Sequence, residues 1–305
     1  MYLSNLSEGE YMECQRCLNN DKIKGIVFKN GICSVCNEYE KIKEYIEDYN
    51  NLGKMWLRKI NHYRDKKKYD ALIGISGGKD SSYVLSELIE RYKLNVCCVT
   101  FDNGFLSRRA KDNIEKIIKK YNVNHKYILL PERIRNQIYT ISEQVYGNQC
   151  MGCTFLMYAA LKEYAANSDI AMMINGRSQY QIYSKIGITK QSPFKEFEDN
   201  VLLNDQLKRY YPNYYIETDV PYLSYFMYHK YDKSIIKREL KERFDWNSEY
   251  INTDEEEHFD CEAHRDAFKR FYMNNGYSQN LLEVSHMVRT GKLLKEEART
   301  LINNE

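Results

Sequence analysis

The 305-residue chain is 43% hydrophobic and 29% charged, yet its formal net charge is only +2. That balance can fill a core and excludes a strongly basic, non-specific nucleic-acid binder. Only four prolines are present, which argues against long Pro-rich linkers, and no apolar run reaches the length of a membrane span. The N-terminus lacks a basic segment followed by an apolar run, so a cytoplasmic location is expected, where the nine cysteines are reduced and read as metal-binding or catalytic.

Cys14-x-x-Cys17 and Cys33-x-x-Cys36 come first, joined by fifteen residues that include Ile26-Val27-Phe28-Lys29-Asn30-Gly31-Ile32. The linking segment reads as a strand, a tight turn and a second strand. Two such knuckles aim four thiolates at one point, the tetrahedral coordination that suits Zn²⁺. A segment this short has too little core to fold without such a staple. A closed four-thiolate site leaves no open position and is given no chemistry. Residues 37–68 follow as an amphipathic helix or helix pair, with apolar Ile42, Tyr45, Ile46, Leu52, Met55, Trp56 and Ile60 on the face that docks the knuckle onto the core.

Asp70–Ile75 is a short apolar run, read as a buried parallel strand. It opens into Ser76-Gly77-Gly78-Lys79-Asp80-Ser81-Ser82, after which helical periodicity begins. The glycines allow successive N–H groups to converge, and the helix dipole behind them favours an anion. Ser76, Ser81 and Ser82 add hydroxyls, Lys79 a cation, and Asp80 a hard oxygen for Mg²⁺. The spacing is not that of a Walker A loop. A strand at Val96–Phe101 follows, ending at Asp102-Asn103-Gly104. Then come a helix near Arg108–Tyr121, an extended stretch His125–Leu130, helices near 133–146 and 154–166, and a strand Ile170–Ile174 ending at Asn175-Gly176-Arg177. Alternating strands and helices predict an α/β fold with a doubly wound parallel sheet. The expected divisions are a zinc ribbon over 1–40, a helical linker over 41–68, an ATP-binding domain over 69–230 and a helical C-terminal extension over 231–305.

Ser-Gly-Gly-x-Asp-Ser between strand and helix resembles the PP-loop ATP pyrophosphatases, an adenine nucleotide alpha hydrolase-like (HUP-like) superfamily. The resemblance implies ATP cleaved between its α- and β-phosphates, adenylation of a substrate oxygen, and Lys79 and Asp80 as catalytic groups. It also implies that Asp102 and Asn103 at the second strand end, and Gly176 and Arg177 at a later one, meet the nucleotide; for Asp102 a plain helix N-cap is the competing reading.

Cys97 and Cys98 lie in a predicted buried strand and read as core. Cys150, Cys153 and Cys261 remain. Three thiolates suit a 4Fe–4S cluster with one open iron, and a loop of this kind followed by Cys-x-x-Cys and a distant third cysteine resembles the cluster-dependent tRNA thiolation enzymes. A redox dithiol and an inert structural pair stay open beside it. His264 reads as a surface helix residue before it reads as a further ligand.

Two further stretches, Cys14-Gln15-Arg16-Cys17 … Ile26–Cys36 and Glu283–Ala298 with its Arg289-Thr290-Gly291 turn, resemble the N-acetyl sugar amidotransferase family of surface-polysaccharide biosynthesis. That resemblance implies an acetamido group on a nucleotide sugar as acceptor and ammonia from a separate glutaminase partner. The thiolation reading implies instead a sulfur donor and tRNA or a small molecule. A non-catalytic ATP-sensing module is the third reading. The Lys190–Phe194 turn, the aromatic runs Tyr210–Tyr215 and Tyr222–Tyr228 and the acidic run Asp254–Glu257 carry no sharper signal, the aromatics reading as packing. Asp102 and Asp260 are the candidate general bases.

Overall fold

The computed structural model describes residues 11–185, 187, 209, 219–246 and 260–303. The Lys190–Phe194 turn, the Tyr210–Tyr215 aromatics and the Asp254–Glu257 run lie outside them.

The N-terminal hairpin pairs β1 (Phe28–Lys29) with β2 (Ile32–Cys33) in antiparallel register, Phe28 opposite Cys33. Asn30 and Gly31 turn it, with φ of 52° and 75°, the paired left-handed conformation that a two-residue hairpin requires. The second knuckle then opens a helix. Cys33 is the N-cap of α1 (Ser34–Ile46), its sulfur accepting from the Cys36 amide. The sequence suggested helix only from residue 37; the thiolate as cap moves the start to Ser34. After α1 the chain turns at Asp48, which caps α2 (Tyr49–Tyr63) through the Asn51 amide at 3.1 Å. Both helices bury one stripe, Tyr39, Ile42 and Ile46, then Leu52, Trp56 and Ile60, in the main core.

The sheet has five parallel strands in the order β5-β4-β3-β6-β7, formed by β3 (Tyr69–Gly74), β4 (Val96–Asp102), β5 (Asn124–Leu129), β6 (Ile170–Ser178) and β7 (Tyr222–Phe226). β3 and β4 read as unbroken apolar runs because both faces are covered. Alternation still sorts them: Cys98, Ile73 and Ala71 join one core cluster, and Cys97, Leu72 and Val99 the other. Both cysteines are core residues, as expected. Helices α3 (Lys79–Ser86), which continues as one π-helical turn over Glu87–Arg91, α4 (Arg108–Tyr121), α5 (Glu132–Tyr146), α6 (Cys150–Ala166) and the short α7 (Gln179–Ile182) connect the strands. The chain steps outward from β3 to β5 and returns beside β3 as β6. Strand order therefore reverses between β3 and β6, and the carboxyl ends of those strands form the crevice where ligands bind in such sheets.

Further along the described residues stand α8 (Lys233–Phe244), α9 (His264–Asn275), α10 (Leu281–Arg289) and α11 (Lys295–Asn303). The last two return to the N-terminus. Leu281, Val284 and Ala298 share a buried cluster with Leu18 and Ile23, and Lys295 donates to the Cys14 carbonyl at 2.7 Å. Glu13 pairs with Lys295 at 2.9 Å and with Arg299 at 2.7 Å. Among the described residues no helix is long and apolar enough to cross a membrane.

The aromatics of β7 are core, as the sequence suggested. Tyr225 and Phe226 are almost fully buried, and Trp56 packs edge-on to Tyr225 with centroids 5.3 Å apart. Beside them His229 stacks on Tyr225 at 4.0 Å, donates from Nδ1 to the Tyr225 carbonyl at 3.0 Å, and receives the Tyr92 hydroxyl at Nε2 at 2.7 Å. Burial pushes its pKa from 6.5 down to about 4. The folded state thus holds a neutral ring that the unfolded chain would protonate below 6.5. This contribution is complete above that pH and is lost as pH falls through about 4, with an upper bound of roughly 3 kcal/mol. Denaturant titrations at pH 7 and pH 4.5 are expected to show a larger acid loss for the wild type than for His229→Phe, which keeps the stack and removes the titration.

Candidate nucleotide site and cysteine centres

The loop after β3 is shaped from three directions. Gly77 has φ of +79°, and a Cβ there would lie 2.8 Å from the carbonyl carbon of Ala110, so the loop passes against the backbone of α4. The Gly77 carbonyl accepts two side-chain bonds, from Asn113 Nδ2 at 3.2 Å and from Trp246 Nε1 at 3.1 Å. Its peptide is trans, so anchoring the oxygen on one side turns the Gly78 N–H to the other. Gly78 is the N-cap of α3 and supplies no side-chain cap, which leaves the first-turn amides to a ligand. Ser76 and Ser81 line the same turn: Gly78 N donates to Ser76 Oγ at 3.3 Å, and the two hydroxyl oxygens stand 3.4 Å apart. Ser82 is fully buried in the first turn of α3. Lys79 Nζ lies 3.5 Å from Asp80 Oδ2.

β6 closes the other side. The strand runs on through Asn175, Gly176 and Arg177 to Ser178, beyond the end suggested by the sequence, with an irregular register against β7 between Asn175 and Ser178. A Cβ on Gly176 would stand 3.0 Å from the Asp80 carbonyl carbon, so a larger residue here would have to push the strand and the loop helix apart by a few tenths of an ångström. Arg177 lies over the Tyr158 ring at 5.3 Å. At the end of β4, Asp102 accepts the Gly104 amide at 2.8 Å, while Ser107 caps α4 by accepting from Ala110. The N-cap alternative for Asp102 is therefore corrected; the cap falls five residues later.

Asn113 and Trp246 were not singled out from the sequence. Neither stands near the loop in the chain, and a buried Asn on a helix or a Trp after one carries no motif. If the loop holds a nucleotide, Trp246→Phe and Asn113→Ala are each expected to weaken its binding about tenfold, as for the net loss of a hydrogen bond that fixes the Gly77 carbonyl and with it the loop. Titration calorimetry checks this, with circular dichroism confirming that the fold is kept.

Two members of the second cysteine set, Cys153 and Cys261, meet at one side chain. Cys150 and Cys153 lie in the first turn of α6, which starts at Cys150 rather than at Thr154. Cys261 pairs with Leu106 in an isolated β-bridge, flanked by Ser107 N to Asp260 O at 3.2 Å and Glu262 N to Phe105 O at 2.8 Å. Asn103 Nδ2 joins the set, 3.6 Å from Cys153 Sγ and 3.5 Å from Cys261 Sγ. The same strip carries Asp260 to the loop, where its Oδ2 lies 3.3 Å from a Cβ placed on Gly78. Burial raises Cys153 to about 11, Cys150 to about 12, and Cys261 as well. Burial disfavours the free thiolate at each of the three. His264 opens α9 and packs its ring on Phe268 at 3.8 Å.

The N-terminal four are tighter. Sγ atoms of Cys14, Cys17, Cys33 and Cys36 all lie within 4.8 Å of one another, the only such group among the described residues. Three pairs measure 3.5, 3.7 and 3.8 Å. Zn–S bonds of about 2.3 Å place the corners of a tetrahedron about 3.8 Å apart, so the donor set fits a single four-coordinate metal.

Sequence comparison finds an uncharacterized protein of Methanocaldococcus jannaschii, 31% identical over 122 residues, 37% of this chain and 41% of that protein. It also finds the glutamine-hydrolyzing GMP synthase of Baumannia cicadellinicola subsp. Homalodisca coagulata, 27% identical over 103 residues, 32% of this chain and 20% of that enzyme. The chain thus spans less than half the length of these curated relatives. Similar solved structures include the NMN synthetase of Francisella tularensis, at 16% identity and TM-score 0.43, covering 83% of this chain and 94% of that one. Another is the U34-tRNA thiolase of Methanococcus maripaludis with its 4Fe–4S cluster, at 14% identity and TM-score 0.38, covering 96% of this chain and 89% of that one. No protein-family model matches the chain.

Proposed function

We propose that the protein is an ATP-dependent enzyme of the PP-loop type that adenylates a carbonyl oxygen and lets a nitrogen nucleophile replace it, the acceptor being an acetamido group on a nucleotide sugar. The observation that carries the first half is the preformed loop at the strand-order switch, with Gly77 against α4 and Gly176 against Asp80. The loop amides, Ser76, Ser81, Ser82 and Lys79 hold the triphosphate, and Asp80 would supply a hard oxygen ligand for Mg²⁺, which would neutralise phosphate charge. The carbonyl oxygen attacks the α-phosphorus and pyrophosphate leaves, its charge met by Lys79 and the amides. Ammonia then adds at the activated carbon and AMP departs. Asp102, Asn103, Gly176 and Arg177 border the nucleotide. The two chain ends that resemble the sugar amidotransferases pack on one another, and the likeness to a glutamine-hydrolyzing synthase is in keeping with ammonia from a partner. The four-thiolate knuckle holds Zn²⁺ as a structural ion.

One observation favours a second reading. Cys153 and Cys261 share Asn103 as a hydrogen-bond partner, Cys150 lies in the same first turn of α6, and Cys261 adjoins Asp260, whose carboxylate faces the open side of Gly78. Cys150, Cys153 and Cys261 would hold a 4Fe–4S cluster, whose open iron would supply a place for a sulfide nucleophile; sulfide adding at the activated carbon of tRNA or a small molecule would then release AMP.

Protein purified without oxygen is to be assayed for ATP affinity, pyrophosphate release with acetamido nucleotide sugars and ammonia, and iron and acid-labile sulfide. Sugar-dependent pyrophosphate release with no iron supports nitrogen transfer. Iron and sulfide that disappear in Cys150→Ala support sulfur transfer. ATP binding without pyrophosphate release from any acceptor supports a sensing module, and no ATP affinity at all sinks the proposal.

A further inference from the structure

Arg289, the last residue of α10, is 7% exposed. Its Nε donates to Cys36 Sγ at 3.2 Å and its Nη2 to Cys17 Sγ at 3.7 Å. Its Nη1 lies 2.8 Å from Nδ1 of His286, one helical turn earlier. The His286 ring is fully buried and meets Tyr39 of α1 edge-on at 5.6 Å and Tyr180 of α7 at 5.8 Å. The charged groups that act on the guanidinium from its surroundings are Cys36, Cys17 and Cys33; no ion pair between Arg289 and a carboxylate is present among the described residues.

A buried cation without an anion is strongly unfavourable. Four thiolates around one divalent ion carry a net charge of −2, and a buried dianion needs a counter-charge just as a buried guanidinium does. We propose that Arg289 is a positioning residue that serves as the counter-charge of the four-thiolate metal centre, so that the docking of α10 and α11 on the knuckle depends on the bound metal. This role is separate from the nucleotide reading and stands or falls without it. The geometry suits it: two N–H donors of one planar group reach two different sulfurs, and His286 holds the third side of that plane. Beyond charge, Leu281, Val284 and Ala298 pack on Leu18 and Ile23 next to the first knuckle, which gives the docked pair its apolar contact.

The test uses the full chain and zinc itself. Zinc affinity is measured by competition with a chromophoric chelator for wild type, Arg289→Ala and Arg289→Lys. Arg289→Ala is expected to weaken binding by about 10–100-fold, the range for groups that hydrogen-bond metal ligands, and Arg289→Lys to recover part of that by restoring the charge. In wild-type protein, withdrawing zinc is expected to strip hydrogen-exchange protection from 281–303 while β3, β4 and β6 keep theirs. The proposal is overturned if Arg289→Ala stays within about twofold of wild type, if the lysine variant is no better than alanine, or if 281–303 stays protected without zinc. Should Arg289→Ala fail to fold, the lysine variant and the wild-type exchange measurement still decide it.

Discussion

Gly77→Ala is expected to remove measurable ATP binding and to lower stability by about 2–4 kcal/mol. Two penalties add. The φ of +79° puts an L-residue in the left-handed region at about 1–2 kcal/mol, and the new methyl would stand 2.8 Å from the Ala110 carbonyl carbon, a backbone atom inside α4. The loop can relieve that clash only by moving, and moving breaks the bonds from Asn113 and Trp246 that hold the Gly77 carbonyl. Gly78→Ala is the useful contrast. Its φ is −73°, and its nearest neighbours are side-chain oxygens of Ser76 and Asp260 at 3.2 and 3.3 Å. It should fold close to normally and lose affinity only in part. Calorimetric titration with ATP and chemical denaturation separate the two. If Gly77→Ala binds ATP as the wild type does, the loop is not the triphosphate site.

Cys17→Ser is expected to take bound zinc from one equivalent to none and to unfold the knuckle together with α10 and α11, while the parallel sheet persists. Structural zinc in small four-ligand modules contributes about 10–16 kcal/mol of apparent binding energy, more than a segment with so few core residues can replace. The loss spreads because Cys17 is both a ligand candidate and an acceptor for Arg289, and because Leu18, its neighbour, packs in the cluster that holds α10 and α11. Elemental analysis and two-step thermal melting check it. Full zinc stoichiometry in the variant would show that the four sulfurs do not act as one site.

Much of this was legible along the chain. The apolar runs of β3 and β4, the glycine loop between strand and helix, and the paired Cys-x-x-Cys knuckles each carry their meaning within a dozen residues. Local constraints produce them: a strand covered on both faces must be apolar throughout, a left-handed turn selects glycine, and a two-residue spacing brings two thiolates to one ion. What was not legible depends on distant partners. Trp246 and Asn113 reach Gly77 across 169 and 36 residues. The overrun of β6 through Gly176 reflects pairing with β7, which no window on residues 170–178 contains. The start of α6 at Cys150 was missed because Cys-Met-Gly-Cys has no side chain that caps a helix in sequence terms; Asn148 supplies the bond to the Cys150 amide from outside the helix.

By itself, the sequence determined that an α/β sheet would place a phosphate-type loop at a strand end and that four N-terminal thiols would converge, because both follow from contacts between residues near in the chain. Only the tertiary structure decided that Cys261 would join Cys153 at Asn103, that Asp260 would face Gly78, and that Arg289 would face the knuckle 253 residues from Cys36. Those meetings depend on which buried surfaces match once the chain has closed on itself, and a charge or a sulfur carries no mark in sequence of the partner that burial will assign to it.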